Sequence, residues 1–123
     1  FVLCGFEETD SLEDIVWTAN KIFRLRIFND ENSKMNLCLS DVVGEILIVS
    51  QFTLLANTKK GNRPSFIKSA KPEISKNLYE KFVEEFKNMP IKKVAAGIFG
   101  AYMKILAEND GPVTITIDSK MKE

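Results

Sequence analysis

A short apolar run that changes abruptly to polar residues constrains this chain more than any other stretch. Residues 46–49 are Ile-Leu-Ile-Val, and a run this rich in β-branched residues is typical of a strand buried on both faces of a sheet. The strand leads directly into a Ser-Gln-Phe-Thr motif, made of Ser50, Gln51, Phe52 and Thr53. Polar groups at the end of a buried strand need partners. Either Ser50 and Thr53 bond to neighbouring backbone while Gln51 faces water, or the motif belongs to a functional site.

The composition is that of an ordinary globular domain, except that it lacks histidine. A length of 123 residues with 45% hydrophobic residues predicts one domain, residues 1–123. Its 17 acidic and 17 basic residues cancel, so any anion must be held by a local cluster rather than by a global field. The absence of histidine excludes from these residues a Ser-His-Asp triad, a Cys-His pair and every histidine-containing zinc site.

Cysteine usage and hydropathy indicate a cytoplasmic protein. Cys4 and Cys38 are the only cysteines, which favours two reduced, buried thiols, with a single disulfide between them as the alternative. The apolar runs are too short to span a bilayer. We therefore expect a cytoplasmic location and no membrane partner.

Two helices are predicted from apolar spacing and from start signals. Ser11, with Asp14 three residues later, predicts a capping box ahead of an apolar stripe. The second helix should begin near Pro72, which is harmless in a first turn, and should end at residues 88–90. The first stripe comprises Leu12, Ile15, Val16, Ala19, Ile22 and Phe23; the second comprises Ile74, Leu78, Phe82 and Phe86, widened by Tyr79 and Val83.

Strands are predicted wherever apolar residues alternate or run together. Residues 25–28 and 35–39 alternate on either side of a turn cluster, which predicts a β-hairpin. The other predicted strands cover residues 1–6, 46–49, 91–96, 102–107 and 113–118. The last of these alternates strictly, so one of its faces should be buried and the other polar.

A basic loop follows the central motif. Lys59, Lys60 and Arg63 surround a glycine, and Phe66 lies shortly after them. Such cations could hold phosphate oxygens while the aromatic ring stacks on an exposed base. The alternative is a solvated surface loop.

The turn between the last two predicted strands reads Asn109-Asp110-Gly111-Pro112. An Asp-Gly pair between strands is a hairpin signal. The following proline removes a ladder donor and restricts the residue before it. Taken by themselves, these residues favour an ordinary hairpin.

Taken together, three segments resemble the D-aminoacyl-tRNA deacylases, also called D-tyrosyl-tRNA deacylases. They are the Ser-Gln-Phe-Thr motif with Leu54, the loop at residues 60–66, and the stretch Asn109-Asp110-Gly111-Pro112-Val113-Thr114. The intervening pieces also match, including Phe99-Gly100-Ala101-Tyr102-Met103. The resemblance covers essentially the whole chain.

The resemblance implies a β-barrel-like α/β fold of mixed, largely antiparallel strands with two main helices, assembled as a homodimer. It implies an ester hydrolase that releases free D-amino acid and tRNA from D-aminoacyl-tRNA, and that also acts on glycine mischarged to alanine tRNA. The partner is the 3′-terminal aminoacyl-adenosine. No cofactor and no metal are implied.

The resemblance also implies roles for particular residues. Gly111 and Pro112 would form a cis peptide that reaches into the other subunit's pocket and selects by chirality through its carbonyls. The motif would be catalytic, with the Phe52 N–H as an oxyanion donor and the 2′-hydroxyl of the terminal adenosine assisting hydrolysis. Met103, Phe66 and Asn109 would contact the substrate, and Lys59, Lys60 and Arg63 would contact tRNA phosphates.

One departure and three rivals accompany this interpretation. Members of the family begin with a strand and hairpin that have no counterpart before Phe1, so we expect that an amino-terminal segment is missing from this sequence. The rivals are the animal-type deacylase, the editing module of certain threonyl-tRNA synthetases, and a non-catalytic RNA-binding or dimerisation domain. The Ser-Gln-Phe-Thr motif argues against the animal type, and the lack of a fused synthetase argues weakly against the module.

Overall fold

A computed structural model describes residues 1–122 of the chain. Two helices and five strands are present, with a short 3-10 turn after the fourth strand. Neither helix has the length and apolar content needed to cross a membrane within this described part. In chain order the elements are β1 (Val2–Cys4), α1 (Leu12–Arg24), β2 (Phe28–Asn29), β3 (Met35–Leu37), β4 (Glu45–Ser50), the 3-10 turn (Phe52–Leu55), α2 (Pro72–Lys87) and β5 (Lys93–Ala96).

The main sheet has three parallel strands in the order β1-β4-β5, with β4 in the centre. Its register pairs Leu3 with Val49 on one side and Leu47 with Ala95 on the other. Ile46 and Ile48 of β4 share one core with both helices, whereas Leu47 on the opposite face is 38% exposed. The prediction of a strand buried on both faces is therefore wrong at Leu47, whereas Val49 farther along the same face is only 3% exposed.

Helix α1 begins where its capping box predicts. The Ser11 hydroxyl accepts from the Asp14 N–H, and the Asp14 carboxylate accepts from the Ser11 N–H at 2.8 Å, so two orphan amides of the first turn are satisfied. The centre of the predicted stripe is buried at Ile15 and Ala19, but Leu12 and Val16 are exposed at the near end. The stripe is therefore only partly covered.

Helix α2 supplies most of the core. Pro72 occupies its first turn and Asn88 caps its end, as predicted. The rings of Phe82 and Phe86 meet edge to face at 5.0 Å, a favourable arrangement for aromatic pairs. Of the predicted stripe only Ile74, in the first turn, is exposed.

The predicted hairpin is present but short. Strands β2 and β3 pair antiparallel, with Phe28 opposite Leu37 and an irregular register at Asn29. Arg26 lies outside the ladder, and its Nε donates to the Asn36 carbonyl at 2.8 Å. The predicted strand start at residue 25 is wrong, because the side chain of Arg26 takes the place of a backbone pairing.

Two predicted strands do not form. Residues 102–107 and 113–118 have no ladder partner within residues 1–122, and Ile115 is 50% exposed. An alternating sequence only defines two faces, whereas a strand also needs a paired backbone. The sheets accordingly do not close into a barrel in the described chain. The expected predominance of antiparallel pairing is also wrong, since the main sheet is parallel.

Candidate active site

The Ser-Gln-Phe-Thr motif lies where β4 leaves the main sheet. Ser50 is the last residue of the strand and pairs with Cys4, and the Gln51 N–H donates to the Cys4 carbonyl at 2.7 Å. The chain then folds into the 3-10 turn, and the Gln51 side-chain amide donates to the Thr53 hydroxyl. The motif is thus locally bonded through Gln51 and Thr53, rather than through the backbone contacts of Ser50 and Thr53 that the first alternative predicted.

The first amide of the 3-10 turn is unengaged. Within residues 1–122 the Phe52 N–H donates to no backbone or side-chain acceptor, as expected for the first residue of a helical turn. The backbone N–H of Gln51, one residue earlier, donates to the Cys4 carbonyl of β1 at 2.7 Å. This bond fixes the backbone at Gln51 and with it the direction of the Phe52 N–H. A fixed and unsatisfied N–H is the kind of group that stabilises a developing oxyanion.

The structure brings Phe66 to the motif. Its ring meets that of Phe52 edge to face, with centroids 5.1 Å apart, and Phe52 is 52% exposed. The two aromatic residues form a small apolar surface that remains open to solvent. An aromatic surface of this kind can stack on a nucleic-acid base.

The basic loop is closed at its base and exposed at its tip. Asn57 and Ser65 exchange backbone hydrogen bonds of 2.8 and 3.0 Å, which places Phe66 just outside the closed loop. Lys59, Lys60 and Arg63 are exposed and make no ion pair within the described chain. These predicted phosphate contacts therefore belong to a loop that closes next to Phe66, and they are available to an anion.

Met103 reaches the same end of the main sheet because Gly97 has no side chain. A Cβ at Gly97 would stand 2.8 Å from the Met103 Sδ and 3.4 Å from Val49, the residue before the motif. A methyl group at that separation would displace the thioether. The predicted pocket residue thus lies close to the motif.

Tyr79 is a residue of this region that sequence reasoning placed only in the core. The Tyr79 hydroxyl oxygen lies 3.0 Å from the Ile48 carbonyl oxygen and 2.8 Å from the Gly97 carbonyl oxygen. It can donate its single proton to either of them. It therefore links β4, just ahead of the motif, to the Gly97 segment. The sequence could have indicated this role, because Tyr79 is a tyrosine on a helix face made otherwise of aliphatic residues and phenylalanines. A buried tyrosine hydroxyl needs a hydrogen-bond partner.

The Gly111–Pro112 turn stands apart from the motif. Its peptide bond is cis, and no strands flank it, so the hairpin favoured by the residues alone is wrong and the isomer implied by the resemblance is present. The Asn109 side chain contacts the Thr114 hydroxyl across the turn at 3.4 Å. Only atoms of Val113 lie within 4 Å of the position a Gly111 Cβ would take, and both turn residues are exposed. Within one protomer the turn is not brought onto the Ser-Gln-Phe-Thr motif.

Comparison with known proteins decides the family. The family model for D-Tyr-tRNA(Tyr) deacylase matches residues 1–118. The chain belongs to this deacylase family. It is 58% identical over 122 residues to the D-aminoacyl-tRNA deacylase of Flavobacterium psychrophilum, covering 99% of this chain and 81% of that protein. It is 56% identical over 119 residues to the Fusobacterium nucleatum protein of the same name, covering 97% and 78%.

Solved structures agree with the fold. The "c-Myc DNA Unwinding Element Binding Protein" superposes with a TM-score of 0.87 at 37% identity, covering 94% of this chain and 78% of that one. A "probable eukaryotic D-amino acid tRNA deacylase" gives a TM-score of 0.65 at 18% identity, over 81% and 74% of the two chains. The expectation of an enzyme, a hydrolase of the deacylase family, is confirmed by the family match and the named relatives.

For a deacylase, the thiol beside the motif is an obvious candidate nucleophile, and its surroundings argue against that role. Cys4 is buried, its Sγ lies 3.6 Å from the Val49 carbonyl, and burial raises the pKa of the thiol to about 12. A thiol with this pKa stays protonated at neutral pH, whereas the reactive nucleophile would be the thiolate.

Cys4 and Cys38 are both free, with Cys38 only half-buried. No cluster of three or more acidic or cysteine side chains suited to a metal occurs in residues 1–122.

Proposed function

We propose that this protein hydrolyses the ester bond of D-aminoacyl-tRNA and releases free D-amino acid and tRNA. One observation carries the proposal: the motif presents an unengaged Phe52 N–H in a chain whose relatives are named D-aminoacyl-tRNA deacylase. We extend the proposal to glycine mischarged to alanine tRNA, because glycine also lacks the side chain that an L-residue would direct against a chiral filter. The expected setting is the cytoplasm.

The proposed chemistry relies on positioning and on the Phe52 N–H. The ester carbonyl oxygen would accept from this N–H as negative charge develops during attack by water. The water oxygen bonds to the carbonyl carbon, the bond from that carbon to the ribose 3′-oxygen breaks, and a proton passes to the leaving oxygen. Ser50 and Gln51 would line the ester side. The adenosine 2′-hydroxyl would assist the proton transfers.

The remaining predicted residues would hold the tRNA end. Phe52 and Phe66 would receive the adenine against their exposed aromatic surface, and Met103 would complete the pocket. Lys59, Lys60 and Arg63 would contact phosphates, since they are exposed and unpaired in the described chain. Phosphate contacts of this kind position the substrate without reading its sequence.

Selection by chirality is assigned to Gly111, Pro112 and Asn109 acting across a homodimer. The isolation of the turn within its own protomer supports action on a partner subunit. Residues 102–118 expose unpaired backbone and apolar side chains, and a second copy could cover them or complete a barrel-like sheet. Sedimentation at micromolar protein concentration should give a dimer, and a monomer would contradict action in trans.

The proposal is tested by measuring deacylation of D-tyrosyl-tRNA and L-tyrosyl-tRNA side by side. We expect release of D-tyrosine and little release of L-tyrosine, because the L-side chain would be driven into the turn carbonyls. A non-catalytic RNA-binding domain would bind tRNA and release neither amino acid. Equal hydrolysis of both substrates would refute the chiral filter while leaving an esterase.

Thr53 is expected to bind rather than to attack. Its hydroxyl already accepts from the Gln51 amide, which is not a base, and the 123 residues contain no histidine to activate it. Thr53→Ala should therefore lower turnover by no more than roughly tenfold, the worth of a side-chain hydrogen bond. Thr18→Ala on α1 is the matched control. Mass spectrometry showing an aminoacyl ester on Thr53 during turnover would contradict this prediction.

A further inference from the structure

We propose that Lys120 is a positioning residue, which holds the arm that carries Gly111 and Pro112 against the start of helix α1. The arm is defined as residues 102–118. The inference rests on the proposed function, because the arm matters to catalysis only if its turn acts as the filter. The residues that receive Lys120 are Asp10 and Asp14, neither of which lies in the Ser-Gln-Phe-Thr motif or the turn.

The contacts of Lys120 form a compact ionic clamp. Its Nζ lies 2.7 Å from the Asp14 Oδ2 and 3.4 Å from the Asp10 Oδ1. Both carboxylates are well shielded, with side-chain exposures of 14% for Asp14 and 12% for Asp10, whereas Lys120 is 42% exposed. The ammonium beside Asp14 holds the pKa of that carboxyl well below its usual range. The clamp therefore stays charged on both sides at neutral pH.

The anchor for this clamp is rigid. The Asp14 Oδ2 that meets Lys120 also accepts from the Ser11 N–H at 2.8 Å and from the Ser11 hydroxyl at 2.9 Å. Asp10 is fixed as well, since its other oxygen accepts from the Glu7 N–H at 2.9 Å. A side chain that meets two carboxylates already held in place is confined to one position.

The arm has few other attachments in the described chain. It makes no strand ladder there, and at its near end Met103 rests against Gly97. At its far end the Lys120 N–H donates to the Asp118 Oδ1 at 2.8 Å and the Met121 N–H donates to the Asp118 carbonyl at 3.2 Å. These two bonds form a tight turn between the arm and the clamp. A displacement of Lys120 therefore also displaces residue 118.

The clamp is expected to affect geometry more than stability. A partly exposed ion pair contributes little to folding stability, because solvent screens the two charges. Residues 113–118, between the turn and the clamp, could reach roughly 20 Å at about 3.3 Å per residue, so movement at the clamp can displace Gly111. A misplacement of about 1 Å in a positioned group can lower a rate by about 100-fold. A loosened arm should thus turn over the D-substrate more slowly and exclude the L-substrate less well.

The test compares three variants of the intact protein. Lys120→Met should lower the ratio of D-tyrosyl-tRNA to L-tyrosyl-tRNA hydrolysis by about tenfold, through kcat rather than KM. Lys120→Arg should restore the ratio, because it keeps the charge. Lys92→Met is the control for loss of a lysine ion pair elsewhere, since it breaks the more exposed pair of Lys92 with Glu45 at 3.8 Å, outside the arm. It should leave the ratio unchanged.

Limited proteolysis gives a readout that does not depend on activity. Lys120→Met should accelerate cleavage by thermolysin within residues 109–117 by severalfold and leave helix α2 uncut. An unchanged cleavage rate in the arm, an unchanged D-to-L ratio, or an equal loss in Lys92→Met would overturn the inference. If the unaltered protein fails to hydrolyse D-tyrosyl-tRNA, the proposed function falls, and the proteolysis experiment still decides whether Lys120 holds the arm.

Discussion

Gly111→Ala is expected to lower the deacylation of every aminoacyl-tRNA by about 100-fold, including glycyl-tRNA. Gly111 has φ of +142°, in the region that side chains of L-residues avoid. An alanine Cβ there would stand 3.2 Å from the Val113 N, tighter than an ordinary contact. The turn would have to change its backbone conformation, at a cost of about 1–3 kcal/mol, and its carbonyls would leave their filtering positions.

The decisive measurement is single-turnover hydrolysis of D-tyrosyl-tRNA and glycyl-tRNA by the variant. Gly100→Ala is the matched control: Gly100 also has positive φ, +75°, and nothing lies within 4 Å of the position its Cβ would take. It places an alanine at positive φ outside the turn. The assignment of Gly111 to the filter would be wrong if the two variants lost activity equally, or if Gly111→Ala retained full turnover.

D-tyrosyl-tRNA that ends in 2′-deoxyadenosine is expected to be hydrolysed 10²- to 10⁴-fold more slowly, roughly the range of general acid–base catalysis. The reason is a shortage of protein groups that could move the proton. Histidine is absent from the 123 residues, burial keeps the Cys4 thiol protonated, and the Thr53 hydroxyl is bonded to the Gln51 amide, which is not a base. We therefore expect the substrate hydroxyl next to the ester, rather than a carboxylate or lysine of the protein, to assist the proton transfer.

Binding of this substrate should change little, because the stacking and phosphate contacts are retained. The experiment therefore separates the single-turnover rate from the dissociation constant, both measured with the same tRNA. A tRNA with a 2′-deoxy sugar at the penultimate nucleotide is the matched control and should be hydrolysed at the normal rate. Normal turnover of the terminal deoxy substrate would instead indicate a carboxylate or lysine of the protein as the base.

Much of the local structure was predictable because it depends on neighbours in sequence. The capping box of Ser11 and Asp14 and the proline in the first turn of α2 act within a few residues, so their signals are complete in the printed chain. The motif at Ser50 to Thr53 left two alternatives open by itself, and only together with two other segments did it point to the family that the comparisons then showed.

Periodicity was least reliable for the strands. Residues 113–118 alternate strictly, yet no partner within residues 1–122 pairs with them, and Ile115 is half exposed. Alternation records which side chains could share a face and carries no information about which backbone lies alongside. The parallel order β1-β4-β5 was missed for the same reason, since nothing in one strand's pattern names its neighbours.

The contacts that assemble the candidate site were decided by tertiary structure. The sequence alone supplied the Ser-Gln-Phe-Thr motif, the Gly-Pro turn, the basic loop and the lack of histidine. Only the fold brought the Phe66 ring to Phe52, Met103 to Gly97, and the Lys120 ammonium to a carboxylate 106 residues away. Caps and turns are set by bonds between near neighbours, whereas these contacts depend on how the helices pack on the sheet, which involves the whole core at once.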